Sequence, residues 1–454
     1  MSGGSPRNLS TVAGVAWPPV QTGPAATLQA LIHQLDATQW LDAATLAQYQ
    51  REQLLPLARH CARHSRQFRA RLAAAKLDAA DLAQPGGLAA LPPLSRRDLQ
   101  APAEEVACAE VPRDHLPLNQ TSTSGATGEP VAVRRTAITR LVWMAMTMRD
   151  HVWHGRDFSG RLAVVRAQGD EGTQEDWGPP ANLLYRTGPT LRLRNATDAA
   201  EQAARLVPFK PDALLIYPSS LAALVDHCRA KSLKLEGLRH IRTIGETLPD
   251  ALRAAASEYF GAKVEDSYTS QEIGYMALEC PESGRYHVMA ENALIEVIDE
   301  NGAACRPGET GRVVVTDLHN FATPMIRYAI GDFAEVAEPC PCGRGLPTLT
   351  RIKGRERNLV LMPDGTRRWP LTGYWRYRDI APVRQYQFIQ TGRETIEVRF
   401  VADRALTPDE EAGLRETIRT ALGHPFALDF TYWPGRLPLS PSGKFEEFVC
   451  RVAA

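Results

Sequence analysis

The sequence carries no excess of either charge: 52 Lys and Arg stand against 52 Asp and Glu. A protein that holds a nucleic-acid backbone or an anionic membrane surface needs a basic excess, so the balance argues against both. No apolar run approaches the roughly 18 residues of a membrane-spanning helix. The opening residues, Met1-Ser-Gly-Gly-Ser-Pro-Arg-Asn8, are polar and hold no apolar signal core, which sets the expectation of a cytoplasmic protein. Cysteine is scarce, eight in 454 residues, too few for a disulfide framework. Internal repeats and low-complexity tracts are absent too.

What is there is a chain long enough for a large core and about two to four domains. Between residues 25 and 77 apolar side chains recur at helical spacing, as Leu28, Leu31, Ile32 and Leu35, then Leu54, Leu55, Leu57 and Ala58. His60 and His64, four apart on one helix face without a third ligand nearby, read as packed or solvated. Ser95 and Asp98 predict a helix start after Pro92-Pro93. Strands at 161–166, 213–217, 241–244 and 263–267 alternate with helices at 136–152, 199–206, 220–231 and 249–260. That alternation implies a largely parallel, doubly covered sheet, whose ligands sit beyond the carboxyl ends of the strands. Strands at 294–299 and 312–316 look antiparallel and predict a smaller β-subdomain. After Gly354 a hairpin (386–400), a helix (407–422) and a last strand (427–432) make a small α+β domain of about 100 residues. The fold class is α/β. The boundaries are a helical region over 1–90, a core with the doubly wound sheet and β-subdomain over 91–353, and a small carboxyl-terminal domain over 354–454.

The most telling stretch is Asn119-Gln-Thr-Ser-Thr-Ser-Gly-Ala-Thr-Gly-Glu-Pro130. Two close glycines let backbone N–H groups converge on an anion, and the hydroxyls add donors. An ordinary Ser/Thr/Gly loop has the same composition. It is not the Walker loop, because Glu129-Pro130 follows Gly128 where that motif needs Lys-Ser/Thr. The string resembles the phosphate loop of the adenylate-forming enzymes, which include acyl- and aryl-coenzyme A ligases, carrier-protein adenylation domains and luciferases. Thr123, Ser124, Gly125, Thr127 and Gly128 would then hold the triphosphate.

Further stretches resemble the same family in the same order. Asp266-Ser-Tyr-Thr-Ser-Gln-Glu272 is similar to its Tyr-Gly-x-Ser/Thr-Glu segment. The resemblance places Tyr268 at the adenine, with Thr269 where the family often has glycine, and gives Glu272 to Mg²⁺. Gly245-Glu246 resembles a Gly-Glu pair that the phenylacetate–coenzyme A ligase branch sets beside the adenine. Pro324-Met-Ile-Arg-Tyr-Ala-Ile-Gly-Asp332, after Gly308-Glu-Thr-Gly311, resembles that branch closely and makes Asp332 the acceptor for the ribose hydroxyls. Ile352-Lys-Gly-Arg355 would bring Arg355 to the ribose. The family's hinge carboxylate is replaced by Arg357, and 362–370 departs from the phenylacetate ligases towards the capsule-biosynthesis proteins of the family. Pro441-Ser-Gly-Lys444 matches the family's lysine segment and would put Lys444 between the substrate carboxylate and the α-phosphate.

Pro339-Cys340-Pro-Cys342-Gly343 forms a compact knuckle. With Cys280 and His287 it would complete a Cys₃His set suited to Zn²⁺. Free thiols in a reducing compartment are the alternative, and Cys305 fits the pattern less well. The phenylacetate branch has a similar arrangement.

The resemblance, from about Leu91 to Lys444, implies ATP-dependent, AMP-forming activation of a carboxylic acid, with transfer to coenzyme A and a small mobile carboxyl-terminal domain. Transfer to a carrier-protein thiol or an amine, or an inactive nucleotide-binding relative, are the rival readings. A homodimer is compatible with all of them. The expected acid is aryl or otherwise apolar, in a pocket among Trp153, Trp177, Tyr217 and Tyr275.

Overall fold

The structure, a computed structural model, describes residues 8–123, 131–355, 358–368, 370, 377, 379–440 and 443–452. The amino-terminal apolar pattern folds into three helices, α1 (Gly23–Thr38), α2 (Ala43–His64) and α3 (Arg66–Ala75). Asp42 caps α2 by accepting from the N–H groups of Ala44 and Thr45 at 3.0 and 2.9 Å. Ser65 ends α2 and caps α3 through Phe68 N–H. Such side chains satisfy donors that a helix start leaves open. His60 and His64 lie ring to ring at 4.6 Å, and His60 Nε2 donates to the Phe321 carbonyl at 3.1 Å, so the pair is packed. Ser95 and Asp98 do bond reciprocally, at 2.8 and 3.3 Å, but they close only a 3₁₀ turn, Asp98–Gln100. Pro102 holds Ala101 in extended backbone and stops propagation. A one-turn helix follows, α4 (Ala103–Val106).

A hairpin, β1 (Asn119–Thr123) and β2 (Val131–Arg135), leads into α5 (Ala137–Trp153), which Thr136 caps. Next come β3 (Leu162–Arg166), β4 (Gly172–Gln174), α6 (Ala181–Leu184), β5 (Thr190–Arg194), α7 (Ala199–Phe209), β6 (Ala213–Ile216), α8 (Pro218–Ala230), β7 (His240–Ile244), α9 (Asp250–Phe260) and β8 (Lys263–Ser270). Strands β5, β3, β6, β7 and β8 lie parallel in that order. The chain then turns back through β9 (Gly274–Glu279), β10 (Tyr286–Val288), β11 (Ala293–Ile298), β12 (Thr310–Asp317), β13 (Tyr328–Val336) and β14 (Thr348–Arg355). All belong to one 12-stranded sheet, ordered β11-β12-β13-β14-β10-β9-β8-β7-β6-β3-β5-β4. The antiparallel strands expected as a β-subdomain are thus an extension of the parallel sheet, joined to it where β9 pairs back on β8.

One face of the parallel strands is apolar. Ala163, Val165, Leu191, Leu193, Leu214, Ile216 and Ile241 pack under Leu206, Leu221, Leu224 and Leu252 of α7, α8 and α9. Each large side chain so buried contributes roughly 1.5–3 kcal/mol. A second core runs from Leu28 and Leu35 of α1 through Val142 and Met146 of α5 to Tyr275 and Met276 of β9.

Contacts divide the chain into two compact units at Lys353/Gly354. The unit 354–454 has its own sheet and core. After a short pair, β15 (Val360–Leu361) and β16 (Arg367–Arg368), come β17 (Val383–Gln390) and β18 (Thr395–Ala402), a hairpin. To these β19 (Ala427–Tyr432) and β20 (Phe448–Cys450) add in parallel, in the order β19-β18-β17-β20. The helix Pro408–Leu422 starts with a capping box between Thr407 and Glu410 and stops at Gly423, φ +70°. Its Leu414, Ile418 and Leu422 pack on Phe388, Val398 and Phe400.

Candidate active site

The glycine-rich stretch joins β1 to β2. Thr123 closes β1, while Ser124, Gly125, Thr127 and Gly128 lie outside the described residues. The strands that flank the loop are firmly placed. Val131 and Val133 are fully buried, and Arg134 N–H donates to Thr323 Oγ1 at 3.0 Å. The Arg135 guanidinium donates to the Gln271 and Ile273 carbonyls at 3.4 Å each. These bonds set the hairpin against the turn from β8 to β9, which carries Glu272. Gly274 begins β9 at φ +89°, and a Cβ there would meet Arg135 Nη2 at 3.2 Å. Glycine therefore both makes the turn and admits the guanidinium.

Tyr268 sits near the carboxyl end of β8, followed by half-buried Thr269. Its hydroxyl donates to Asp332 Oδ2 of β13 at 2.7 Å, and both residues are buried. Glu272 is buried as well, with Arg96 Nη1 3.7 Å from its Oε1, an ion pair rather than a hydrogen bond. On the neighbouring strand, Gly245 (φ +76°) turns the chain out of β7. Glu246 then accepts from Ser219 N–H at 2.9 Å and Ser219 Oγ at 3.1 Å, at the start of α8. Strand register explains this convergence. Ile244 pairs with Ser267, so Gly245-Glu246 and Tyr268 leave parallel strands side by side.

Beneath them lies a buried charged cluster that the sequence reading did not single out. Arg242 of β7 donates to Tyr275 Oη at 2.7 Å and Ser267 Oγ at 3.0 Å, and pairs with Asp150 at 3.0 Å. Arg156 joins Asp150 to Glu265, and Glu265 also meets His154 and His240 at 3.0 and 3.1 Å. Burial alone would raise the Asp150 carboxyl, but Arg156 and Arg242 outweigh it and hold it at about 2. Burial, aided by Arg156, pushes the His151 imidazole down to about 3, so it is neutral near pH 7. The available signal was the charge in strand 240–244, whose neighbours are apolar.

The tryptophans expected in an acid pocket are engaged in packing. Trp177 packs against Phe158 and His151 and donates to the Gly160 carbonyl at 3.0 Å. Trp153 stands edge-on to His287, with Arg344 over its ring. Tyr275 takes the Arg242 hydrogen bond, and Tyr217 lies within electrostatic reach of Arg166.

Cys280 follows β9, His287 is on β10, and Cys340 and Cys342 occupy the loop between β13 and β14. Their ligand atoms all lie within 4.8 Å of one another. Cys340 Sγ is 3.8 Å from Cys280 Sγ, and Cys342 Sγ is 3.3 Å from His287 Nε2. Tetrahedral zinc, with bonds of about 2.3 Å to sulfur and about 2.0 Å to nitrogen, separates its ligands by about 3.8 Å (S···S) and about 3.5 Å (S···N). Burial, with Arg344 nearby, holds His287 at about 4 and hence neutral, as a ligand must be. The donor set fits zinc. Cys305 is not part of it.

In the unit 354–454, Gly443 (φ +73°) completes a turn in which Ser440 N–H donates to the Lys444 carbonyl at 2.8 Å. The turn presents a half-buried Lys444 just before β20. Arg355 ends β14. Arg357 lies outside the described residues.

No family's sequence profile matches the chain. Individual proteins do. It is 24% identical to a phenylacetate–coenzyme A ligase of Pseudomonas putida over 345 residues, 72% of this chain and 74% of that one. Phenylacetate–coenzyme A ligases of Thermus thermophilus (27% over 168 residues) and Aromatoleum evansii (24% over 262 residues) match as well. The chain is similar in sequence to phenylacetate–coenzyme A ligases. The matched segments span 38% of the Thermus ligase and 57% of the Aromatoleum ligase. Among solved structures, the chain superposes with a TM-score of 0.71 on a 2-hydroxyisobutyryl-CoA ligase in complex with 2-HIB-AMP, at 19% identity and 90% coverage of both chains. An anthranilate CoA ligase in complex with anthranoyl-AMP gives 0.54 at 17% identity, over 72% of this chain and 64% of that one. At these identities the likeness shows the fold, that of the adenylate-forming CoA ligases.

Proposed function

We propose that the protein activates a carboxylic acid with ATP and passes the acyl group to the thiol of coenzyme A. A carboxylate oxygen attacks the α-phosphorus, the bond to the bridging oxygen breaks, and pyrophosphate leaves. The thiol sulfur then attacks the acyl carbon and AMP departs. The observation that supports this best is the buried Tyr268–Asp332 hydrogen bond at the strand ends, with Glu272 on the next turn and the β1–β2 hairpin tied beside it. Ligands of open α/β sheets collect at such strand ends.

In this reading Asp332 accepts from the ribose hydroxyls, Tyr268, Thr269 and Gly245-Glu246 border the adenine, and Arg355 contacts the ribose. Thr123, Ser124, Gly125, Thr127 and Gly128 supply donors to the β- and γ-phosphates. Glu272, buried and only loosely paired to Arg96, is the carboxylate suited to a hard divalent cation, and Mg²⁺ there offsets triphosphate charge. Lys444 stabilises the charge that grows on the α-phosphate as the new phosphorus–oxygen bond forms. Arg357 serves as the hinge position. The Cys₃His set holds a structural zinc, since all four positions come from the protein.

ATP–pyrophosphate exchange tests the proposal. Wild-type protein should exchange only when a suitable acid is present. Lys444→Ala should lower that exchange by at least about 10²-fold while still binding ATP. Undiminished exchange in the variant would remove Lys444 from the chemistry, and exchange with no acid in a broad panel would refute the activity. Assay of the second step with coenzyme A against a carrier-protein thiol identifies the acceptor.

A further inference from the structure

The two faces of the parallel strands differ in kind. Paired residues of adjacent parallel strands point to the same side. The face opposite α7, α8 and α9 therefore carries two rows. The first is Arg192, Val164, Leu215, Arg242, because Val164 pairs with Arg192 and with Leu215, and Leu215 pairs with Arg242. The second, nearer the carboxyl ends, holds Arg194, Arg166, Tyr217 and Ile244. A parallel sheet covered on both sides is normally apolar on both. This face has four arginines.

Their partners are unequal. Arg242 is fully engaged with Asp150, Ser267 and Tyr275. Asp150 is shared with Arg156, so it leaves no surplus negative charge. Among the described residues, the side chains of Arg166 and Arg192 have no carboxylate or hydrogen-bond acceptor. Arg166 lies within electrostatic reach of Tyr275, Arg242, Tyr217 and Arg192. Desolvation by neighbouring protein lowers its pKa, and the residue is exposed at the carboxyl end of β3. Beside it on this face Leu215, Tyr217 and Ile244, with Val164 and Ala167, form an apolar floor, a cluster separate from both main cores.

On β8 the same face carries Ser267, the residue before Tyr268, because Ile244 pairs with Ser267. From β8 to β3 is three strand spacings, about 14 Å, of which the long arginine side chain covers part. What remains suits one ring or a short chain. A carboxyl end at the Tyr268 side would leave the far end of the acid beside Arg166.

We propose that the acid activated here carries a second anionic group, a carboxylate, at the end remote from the reacting carboxyl, and that Arg166, aided by Arg192, holds it over the Leu215–Tyr217–Ile244 floor. The inference rests on the activity proposed above and assigns its substrate class. An unpaired guanidinium beside an apolar floor is a strong site for a carboxylate, through two parallel charge-assisted bonds. The expected aryl acid survives as a flat body on the apolar floor, but a purely apolar acid would leave the arginines without a partner.

The test is ATP–pyrophosphate exchange, which needs no coenzyme A, with matched pairs of acids: benzoate against isophthalate and terephthalate, hexanoate against adipate. The diacid should be favoured over its monoacid at least tenfold in kcat/KM. Arg166→Gln should lower that diacid-to-monoacid ratio by 10- to 100-fold, mainly through the KM of the diacid, and Arg166→Lys should restore part of it. The ratio is taken within one preparation, so incomplete folding of a variant cancels. Exchange with monoacids alone, or a ratio untouched by Arg166→Gln, overturns the inference and leaves the ligase activity standing. A variant that changes only the KM for coenzyme A would assign the guanidinium to the acceptor's phosphates and overturn it too. Exchange with no acid in wild-type protein would fell the underlying activity.

Discussion

At the scale of single residues, the site turns on hydrogen bonds made in a dry setting. Tyr268 donates to a buried Asp332 at 2.7 Å. A buried acceptor deprived of its donor costs about 1–3 kcal/mol. Tyr268→Phe should therefore lower the melting temperature and raise the KM for ATP several-fold. Asp332→Asn, which turns a charged acceptor into a weaker one, should raise that KM by at least about tenfold with little change in folding. Steady-state exchange kinetics beside thermal melts separate the two. His151 makes a different prediction. Its Nδ1 accepts from Arg156 Nη1 at 3.3 Å, which a proton would abolish, and burial holds the imidazole at about 3. In the unfolded chain it titrates near 6.5. Below that pH the unfolded state takes up a proton that the folded state refuses, so stability falls as pH drops from about 6.5 towards 3. Between pH 7 and 5 this one residue accounts for about 2 kcal/mol. His151→Gln keeps an acceptor for Arg156 without the titration, and its urea-unfolding free energy should fall less over that interval than that of the wild type.

At the scale of elements, the loop between β13 and β14 is tied down from two sides. The Cys₃His set joins it to β9 and β10. The turn between α1 and α2 holds it from the other side. Arg344 donates to Gln39 Oε1 at 2.9 Å and stacks between Trp40 and Trp153, and a Cβ on Gly345 would strike the Leu41 carbonyl at 1.7 Å. With zinc bound, the loop fastens three parts of the fold. Cys342→Ser should cost about one equivalent of zinc by elemental analysis. The melting midpoint should fall by about 4 °C, corresponding to a loss on the order of 3 kcal/mol from a unit of this size. Full zinc content in that variant would exclude Cys342 as a ligand. The cysteine set was legible in the sequence because Pro339-Cys340-Pro-Cys342-Gly343 is local. The grip of Gln39 and Leu41 on Arg344 and Gly345 was not, because three hundred residues separate them. The same contrast recurs elsewhere. The Thr407–Glu410 capping box is written in four residues, whereas the attachment of β9 to β14 onto the parallel sheet depends on pairing that no short window records. Tryptophans are ambiguous from composition, since the same rings serve a core or a pocket, and Trp153 and Trp177 went to the core. The alternation Leu191-Arg192-Leu193-Arg194, by contrast, is a local sign that one sheet face is not apolar.

At the scale of the whole molecule, the division at Lys353/Gly354 sets what each part can do alone. The unit 354–454 owns a four-stranded sheet, a capped helix and a core of its own in which Phe388, Phe400, Phe426, Leu414 and Ile418 are fully buried. A domain of that size needs on the order of 5 kcal/mol to stay folded. Made separately, it should therefore unfold in one cooperative transition. The unit 1–353 keeps Tyr268, Asp332, Glu272 and the β1–β2 hairpin but not Arg355, and so should still bind ATP, with a Kd raised about tenfold over that of the full chain by the lost ribose contact. It lacks Lys444. If that ammonium stabilises charge at the α-phosphate, the truncated protein should bind nucleotide and yet exchange pyrophosphate at least about 10²-fold more slowly. Calorimetric titration with ATP and exchange assays on the same preparation read the two properties apart. Loss of both would mean that the nucleotide depends on the smaller unit. Retention of both would place the catalytic charge within residues 1–353 and leave Lys444 without its assigned part.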